Sequence, residues 1–241
     1  TWEDLIKSVR AKVKGTKVKI RLGASSGEWK AMVADEAART TFAKNIKTVL
    51  EKNKLDGIDL DFEWAENEKE YKDYSLAILK MREVLGDKYL FSVSLHPVCY
   101  KISKEAIEAV DFISLQCYGP SPVRFPIEKY CSDIQMVLEY GIPKEKLVAG
   151  VPFYGVTKDN SKKTEAYFNF VQNGLVTSPA QNEVIYQGDT YVFDGQDNIR
   201  IKTRYAKEQK LKGMMSWDLA TDLPLSDSRS LLKTMTEELR E

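Results

Sequence analysis

Residues 55–64 read Leu55-Asp56-Gly57-Ile58-Asp59-Leu60-Asp61-Phe62-Glu63-Trp64. In a β-strand successive side chains alternate faces. Asp59, Asp61 and Glu63 therefore share one face, and Ile58, Leu60 and Phe62 share the other. Same-face neighbours lie roughly 6–7 Å apart along a strand. Asp is a poor strand former, so propensity does not account for these acids. Crowding carboxylates on a covered face is costly through repulsion and desolvation. The same crowding drives the proton affinities of carboxyls apart, which acid catalysis near neutral pH requires. The competing reading is an exposed, solvated acidic strand. The apolar alternation instead suits a strand whose other face meets helices, and the functional reading is preferred. Asp56 differs in parity from the other three acids and reads as structural.

The rest of the chain repeats the rhythm of that strand. Short apolar runs at 17–23, 56–63, 90–96, 111–118, 147–154 and 213–218 alternate with helical patterns near 35–53, 67–86, 103–109, 126–140, 203–211 and 227–240. This is the pattern of a parallel α/β protein. Thr1-Trp2-Glu3-Asp4 reads as a helix start rather than a signal peptide. Asp35 and Glu36 suit a first helical turn, and Gly86 and Gly141 sit where C-terminal caps are expected. No linker divides residues 1–241, so one domain is expected. The polar stretch 156–199 interrupts the alternation as an insertion, and its Gly188-Asp189 pair between aromatic-rich runs predicts a β-hairpin. Such an insertion either shapes a cleft or merely decorates the strand ends.

Composition narrows the chemistry. Of 241 residues 43% are hydrophobic, enough for a sizeable core. Lys plus Arg and Asp plus Glu both number 36, and no basic block points to nucleic acid. No apolar run is long enough to span a bilayer. Cys99, Cys117 and Cys131 have neither metal nor redox spacing, and three cannot all pair within one chain. With His96 the only histidine, the composition argues against a His-rich metal site and a Ser-His-Asp triad. No phosphate-cradling glycine motif is present, and neither cofactor nor metal is expected. The chemistry is left to carboxylates and tyrosines.

Period-2 reading of the neighbouring strands groups Ser92, Ser94 and His96 on one face, and Ser114, Gln116 and Tyr118 on another. Cys117 has the opposite parity and reads as an inert core thiol. In a parallel barrel a polar inner layer lies beneath an active site at the C-terminal strand ends, where Glu63, His96 and Tyr118 fall. His96 reads as a hydrogen-bonded lining residue rather than a catalyst. Trp217 is either a core tryptophan or a flat apolar floor for a sugar ring.

Asp56-Gly57-Ile58-Asp59-Leu60-Asp61-Phe62-Glu63 resembles the Asp-x-x-Asp-x-Asp-x-Glu signature of glycoside hydrolase family 18, the chitinases and endo-β-N-acetylglucosaminidases. Lys146-Leu147-Val148-Ala149-Gly150-Val151-Pro152-Phe153-Tyr154-Gly155 resembles that family's seventh strand, and Gly213-Met214-Met215-Ser216-Trp217-Asp218 its eighth. The resemblance implies an α/β fold, a TIM (β/α)8-type barrel. It implies an endo-acting, retaining hydrolase of β-1,4-linked N-acetylglucosamine working through an oxazolinium ion. It also implies that Glu63 is the general acid, that Asp61 orients the substrate's acetamido group and that Asp59 tunes Asp61. Tyr118 would hydrogen-bond the acetamido oxygen, Trp217 would underlie the sugar, and Gln116 and Tyr154 would bind substrate. The partner is then an oligo- or polysaccharide containing N-acetylglucosamine, the protein a monomer, and its place the periplasm, cell surface or exterior. An endo-β-N-acetylglucosaminidase acting on N-glycans or a wall glycan, and a non-catalytic lectin, are the alternatives; retention of Glu63 argues against the lectin.

Three departures from the family pattern stand out. Gly119 follows Tyr118 where many members carry Asp, and the Gln116-Cys117-Tyr118 order resembles plant-type members instead. Val156 stands where an Arg often follows the Tyr-Gly of the seventh strand. Arg21-Leu22-Gly23-Ala24 replaces the usual Ser-x-Gly-Gly. Counted against the family, strand 17–23 is the third of eight, so the barrel is expected to lack its first two strands in this sequence.

Overall fold

The acidic stretch forms a strand over Gly57–Leu60, shorter than the 56–63 that the alternation predicts, so Asp61 and Glu63 follow the strand instead of lying in it, in a computed structural model that describes residues 1–25 and 27–241. Two compact units emerge, Thr1–Ile113 and Ser114–Glu241. The first runs α1 (Trp2–Lys12), β1 (Arg21–Ala24), α2 (Trp29–Ala34), α3 (Glu36–Asn53), β2 (Gly57–Leu60), α4 (Glu68–Leu85), β3 (Leu90–Leu95) and α5 (Lys104–Ala109). The chain passes to the second unit along β4 (Phe112–Leu115). There follow α6 (Ile127–Tyr140), β5 (Leu147–Pro152), β6 (Tyr154–Thr157), β7 (Thr164–Ala166), α7 (Tyr167–Gln172), β8 (Glu183–Tyr186), β9 (Asp189–Val192), α8 (Gln196–Glu208), β10 (Gly213–Trp217) and α9 (Leu231–Arg240).

In the first unit β1, β2 and β3 pair in parallel, with Gly23 opposite Asp59 and Asp59 opposite Ser92. Ile58, Leu60 and Phe62 are buried at 0%, 0% and 2% exposure, whereas Asp59 and Asp61 are half-buried and Glu63 is exposed. The two faces of the strand thus divide as the sequence pattern requires. Gly57 lets β2 approach β3, because a Cβ there would meet the Leu90 carbonyl oxygen at 1.9 Å. Asp56 is a structural anchor: its backbone N–H donates to Ile20 and its carboxylate accepts from the Ile20 N–H at 2.8 Å. That side-chain bond replaces ladder pairing at Ile20, so β1 begins at Arg21 rather than at 17.

The helices start and stop for identifiable reasons. Thr1 and Asp4 form a capping box on α1, and Asp35 accepts from the Ala38 N–H at the start of α3. Gly86 follows α4, and Gly141 closes α6 in the left-handed conformation. Behind β2, the rings of Trp29, Phe62 and Tyr74 lie 5.4–5.5 Å apart, with Trp29 stacked on Phe62.

In the second unit β5 pairs in parallel with β10. The interruption in the alternation is a four-stranded antiparallel sheet, in the order β7-β6-β9-β8, with Phe170 of α7 against Tyr186, Tyr191 and Phe193. Its hairpin turns at Gln187-Gly188, one residue before the predicted Gly188-Asp189 pair, since Tyr186 pairs with Asp189. Both turn residues have positive φ, the backbone twist that suits a two-residue hairpin. The insertion ends before 196, because α8 starts there rather than at 203: polar Gln196-Asp197-Asn198 hides its apolar period, yet Ile199 is fully buried. The last helix starts at 231 rather than 227, with Ser230 as its cap. The short helices α2 and α7 are absent from the sequence reading: at six residues each they show little helical period, and unlike α5, which Ser103 caps, neither has a side-chain N-cap to mark its start. Among the described residues, no helix is long and apolar enough to cross a membrane.

Candidate active site

The three acids climb β2 and the segment beyond it, so each rises from a different depth. Asp59 is paired within the ladder and anchored by β3: Ser94 donates to its Oδ2 at 2.7 Å, and Ser92 donates to its Oδ1. Arg21 of β1 donates to Ser92 and lies 3.9 Å from Asp59 Oδ1. Its guanidinium also stacks 4.6 Å above the Phe112 ring. Burial lowers the Arg21 pKa from its ordinary value, against the opposing pull of Asp59 and Asp111. Asp59 is therefore a held carboxylate with charge and hydrogen bonds on two sides. Arg21→Met, which keeps the length of the stem, should lower unfolding free energy by about 1.5–3 kcal/mol, the range for hydrogen bonds involving a charged group. Urea unfolding of the full-length protein checks this; a change near zero would mean that Arg21 is a bystander.

Asp61 continues the pairing, its N–H donating to the Ala24 carbonyl at 2.9 Å. Glu63 stands past the strand with an exposed side chain. Its own backbone is held, because the buried Trp29 indole donates to the Glu63 carbonyl at 3.0 Å. Below, Tyr74 is fully buried and donates to the Leu60 carbonyl at 3.4 Å. Burial, with Asp59 and Asp61 adding to it, holds the Tyr74 hydroxyl well above the ordinary tyrosine range. It stays a neutral donor under the acidic strand.

His96 is 4% exposed, accepts at Nδ1 from the Val98 N–H at 3.2 Å and stacks on Trp64 at 4.6 Å. In a short antiparallel bridge it pairs with Cys99. The Cys99 sulfur accepts the Ala65 N–H at 3.1 Å.

In the second unit Tyr118 is buried, its hydroxyl donating to Met215 Sδ at 3.5 Å. Tyr154 meets the Tyr118 ring edge-on at 6.3 Å and donates to the Gly119 carbonyl at 3.3 Å. Gly150 leaves room for this pair, since a Cβ there would come within 2.9 Å of the Tyr118 ring. Gln116 is buried at 7% exposure. Trp217, at the end of β10, is 54% exposed and presents an indole that is no core residue. Cys117 is buried, and burial pushes its thiol pKa far up, as befits an inert core thiol. Among the described residues no group of three His, Cys, Asp or Glu side chains is placed to hold a metal ion.

The structure thus gathers Asp59, Asp61 and Glu63 in the first unit, and Tyr118 with Tyr154 in the second. Two participants escape the sequence reading. Arg21 figures there only as a departure from a motif, although it shares the parity of Gly23, the residue opposite Asp59. Trp29 belongs to a helix with no sequence signal, and nothing in its neighbours announces a contact 34 residues away.

The acids follow one another along β2 and the segment beyond it in a parallel α/β protein, and solved structures define the fold. A chitinase from Bacteroides thetaiotaomicron superposes with a TM-score of 0.85 at 22% identity, covering 98% of this chain and 80% of that one. The GH18 chitinase ChiB of Flavobacterium johnsoniae gives 0.80 at 27% identity, covering 99% and 79%. The fold is of the TIM-barrel type. The family model Glycosyl hydrolases family 18 matches residues 2–222, and the chain belongs to that family. Probable chitinase 2 of Drosophila melanogaster is 23% identical over 273 residues, covering 86% of this chain. The chain spans 56% of that relative's length and 42% of a second, chitinase A1 of Niallia circulans.

Proposed function

We propose that this protein is an endo-acting, retaining hydrolase of β-1,4-linked N-acetylglucosamine, with chitin or chitooligosaccharides as substrate. The observation that carries this reading is the graded set of acids: Asp59 anchored by Ser92 and Ser94, Asp61 half-buried, and Glu63 exposed at the end. Glu63 protonates the glycosidic oxygen as the bond from C1 breaks. The carbonyl oxygen of the substrate's own N-acetyl group attacks C1, closing an oxazolinium ring. Water then adds to C1, Glu63 takes its proton, and the ring opens with overall retention. Asp61 orients the acetamido group, and Asp59, fixed from β1 and β3, keeps Asp61 in place. Tyr118 offers its hydroxyl to the acetamido oxygen, and the exposed Trp217 offers an apolar face to a sugar ring. Gln116 and Tyr154 are assigned to substrate binding.

A thiazoline mimic of the oxazolinium ion tests the route. It should inhibit far more tightly than a neutral trisaccharide binds, as expected for a mimic of a reactive intermediate. Absence of inhibition, with turnover intact, would rule out substrate assistance. Product profiles on chitin oligomers and on a high-mannose glycopeptide test the substrate; cleavage of the glycopeptide alone would move the assignment to N-glycans.

A further inference from the structure

The segment that carries the acid lies outside the ladder, since β2 ends at Leu60 and Glu63 follows three residues later. A carboxyl on an unpaired segment would wander, yet proton transfer demands a placed group: a misplacement of about 1 Å can cost roughly 100-fold in rate. Something other than sheet pairing must fix these peptides.

Two side chains reach them from different elements. From α2, Trp29 is 1% exposed, stacks on Phe62 with an interplanar angle of 11°, and donates its indole N–H to the Glu63 carbonyl at 3.0 Å. From the turn after β3, Cys99 is 1% exposed and its sulfur accepts the Ala65 N–H at 3.1 Å. Backbone bonds between His96 and Cys99, at 2.7 and 3.2 Å, rigidify that turn, and the His96 ring stacks on Trp64 between the two anchor points. Burial raises the Cys99 pKa, so the sulfur remains a thiol. Next to Trp29, Lys30 bonds Glu66 and Glu70 at 3.0 and 2.9 Å, tying α2 to the same segment on its solvent side.

We infer that Trp29 and Cys99 are positioning residues for Glu63, a clamp on the peptide groups at Glu63 and Ala65 that sets where its carboxyl stands. The inference rests on the reading of Glu63 as the acid. The clamp acts through the backbone, so its loss should lower kcat and leave KM nearly unchanged. Trp29→Phe keeps an aromatic ring against Phe62 but removes the donor together with part of the buried ring volume, so its thermal melt is read beside its kinetics. Cys99→Ala removes the acceptor, and Cys99→Ser returns one of similar size.

The experiment combines kinetics with glutamate-selective carbon-13 NMR on the full-length protein, the Glu63 carboxyl resonance being assigned by its loss in Glu63→Gln. We expect kcat on a chitooligosaccharide to fall roughly 10- to 100-fold in Trp29→Phe and in Cys99→Ala, with KM within about twofold. Cys99→Ser should recover most of the loss. The Glu63 resonance should move in the two deficient variants and return in Cys99→Ser. An unmoved resonance, unchanged kcat, or equal falls in kcat and thermal stability without rescue by serine would overturn the clamp. If the wild type turns over no chitooligosaccharide, the functional reading fails, while the Glu63 resonance still decides the clamp.

Discussion

Glu63→Gln should abolish measurable hydrolysis of chitooligosaccharides, with kcat falling by about 1,000-fold or more. General acid–base assistance contributes typically about 10²–10⁴ in rate, and Glu63 is assigned to both halves of the reaction. In the proposed mechanism it gives a proton to the leaving oxygen and later takes one from water, so a single amide would disable both steps. The fold should not notice. Glu63 is exposed, and the hydrogen bond made at this position uses its backbone carbonyl, which glutamine keeps. A surface change of this kind falls within about 0.5 kcal/mol. Steady-state kinetics alongside a thermal melt separate the two effects: lost turnover at an unchanged melting temperature is the expected pair. An aryl glycoside with a good leaving group refines the test, because its first step needs little acid. The amide variant should then release a burst of aryl alcohol and stall at the step that needs a base. Retained turnover of the natural oligomer, within tenfold of wild type, would remove Glu63 from the mechanism.

How far the sequence reveals such a site depends on whether its signal is periodic. The alternation along 58–63 fixes the faces of β2, because a strand has only two faces and one of them is apolar. The six parallel-strand positions and the long helices α3, α4 and α6 are legible for the same reason: each repeats its period long enough to stand out. Asp59's serines are legible too, since period-2 reading places Ser92 and Ser94 together, and the register puts Ser92 opposite Asp59. Legibility fails where structure is short or long-range. Trp29 sits on a helix of six residues, and Cys99 meets Ala65 through a turn whose sequence, His96-Pro97-Val98-Cys99, carries no regular pattern. The early start of α8 is hidden because its first turn buries a glutamine, Gln196, whose amide donates to the Ser228 carbonyl and Thr234. A polar residue with buried partners reads, in sequence, like a loop.

Lys202→Met should cost about 3–5 kcal/mol, the penalty for stranding one member of a buried ion pair. Lys202 and Asp194 are both 0% exposed and 2.6 Å apart. The Lys202 ammonium also lies 5.4 Å from the Tyr130 ring centre and 5.9 Å from that of Phe125, a setting that favours a cation. Methionine fills the volume of the lysine stem but supplies no charge. Among the described residues, Asp194 would keep the side-chain bond from Asn198, which donates to its other oxygen at 3.2 Å. Domain stabilities run to about 5–15 kcal/mol, so the loss is a large fraction of the whole. The double variant Lys202→Met with Asp194→Leu removes both charges and should recover much of that loss, since apolar replacement of a whole buried pair is often neutral or better. Urea unfolding of wild type, both single variants and the double gives the coupling directly. A double variant less stable than Lys202→Met would contradict this account. The pair also bears on the proposed sugar contact, because Lys202 lies on α8, which packs on β10, and β10 ends in the exposed Trp217. If the pair sets that packing, Lys202→Met should weaken chitooligosaccharide binding even below the unfolding transition. The double variant should restore binding together with stability.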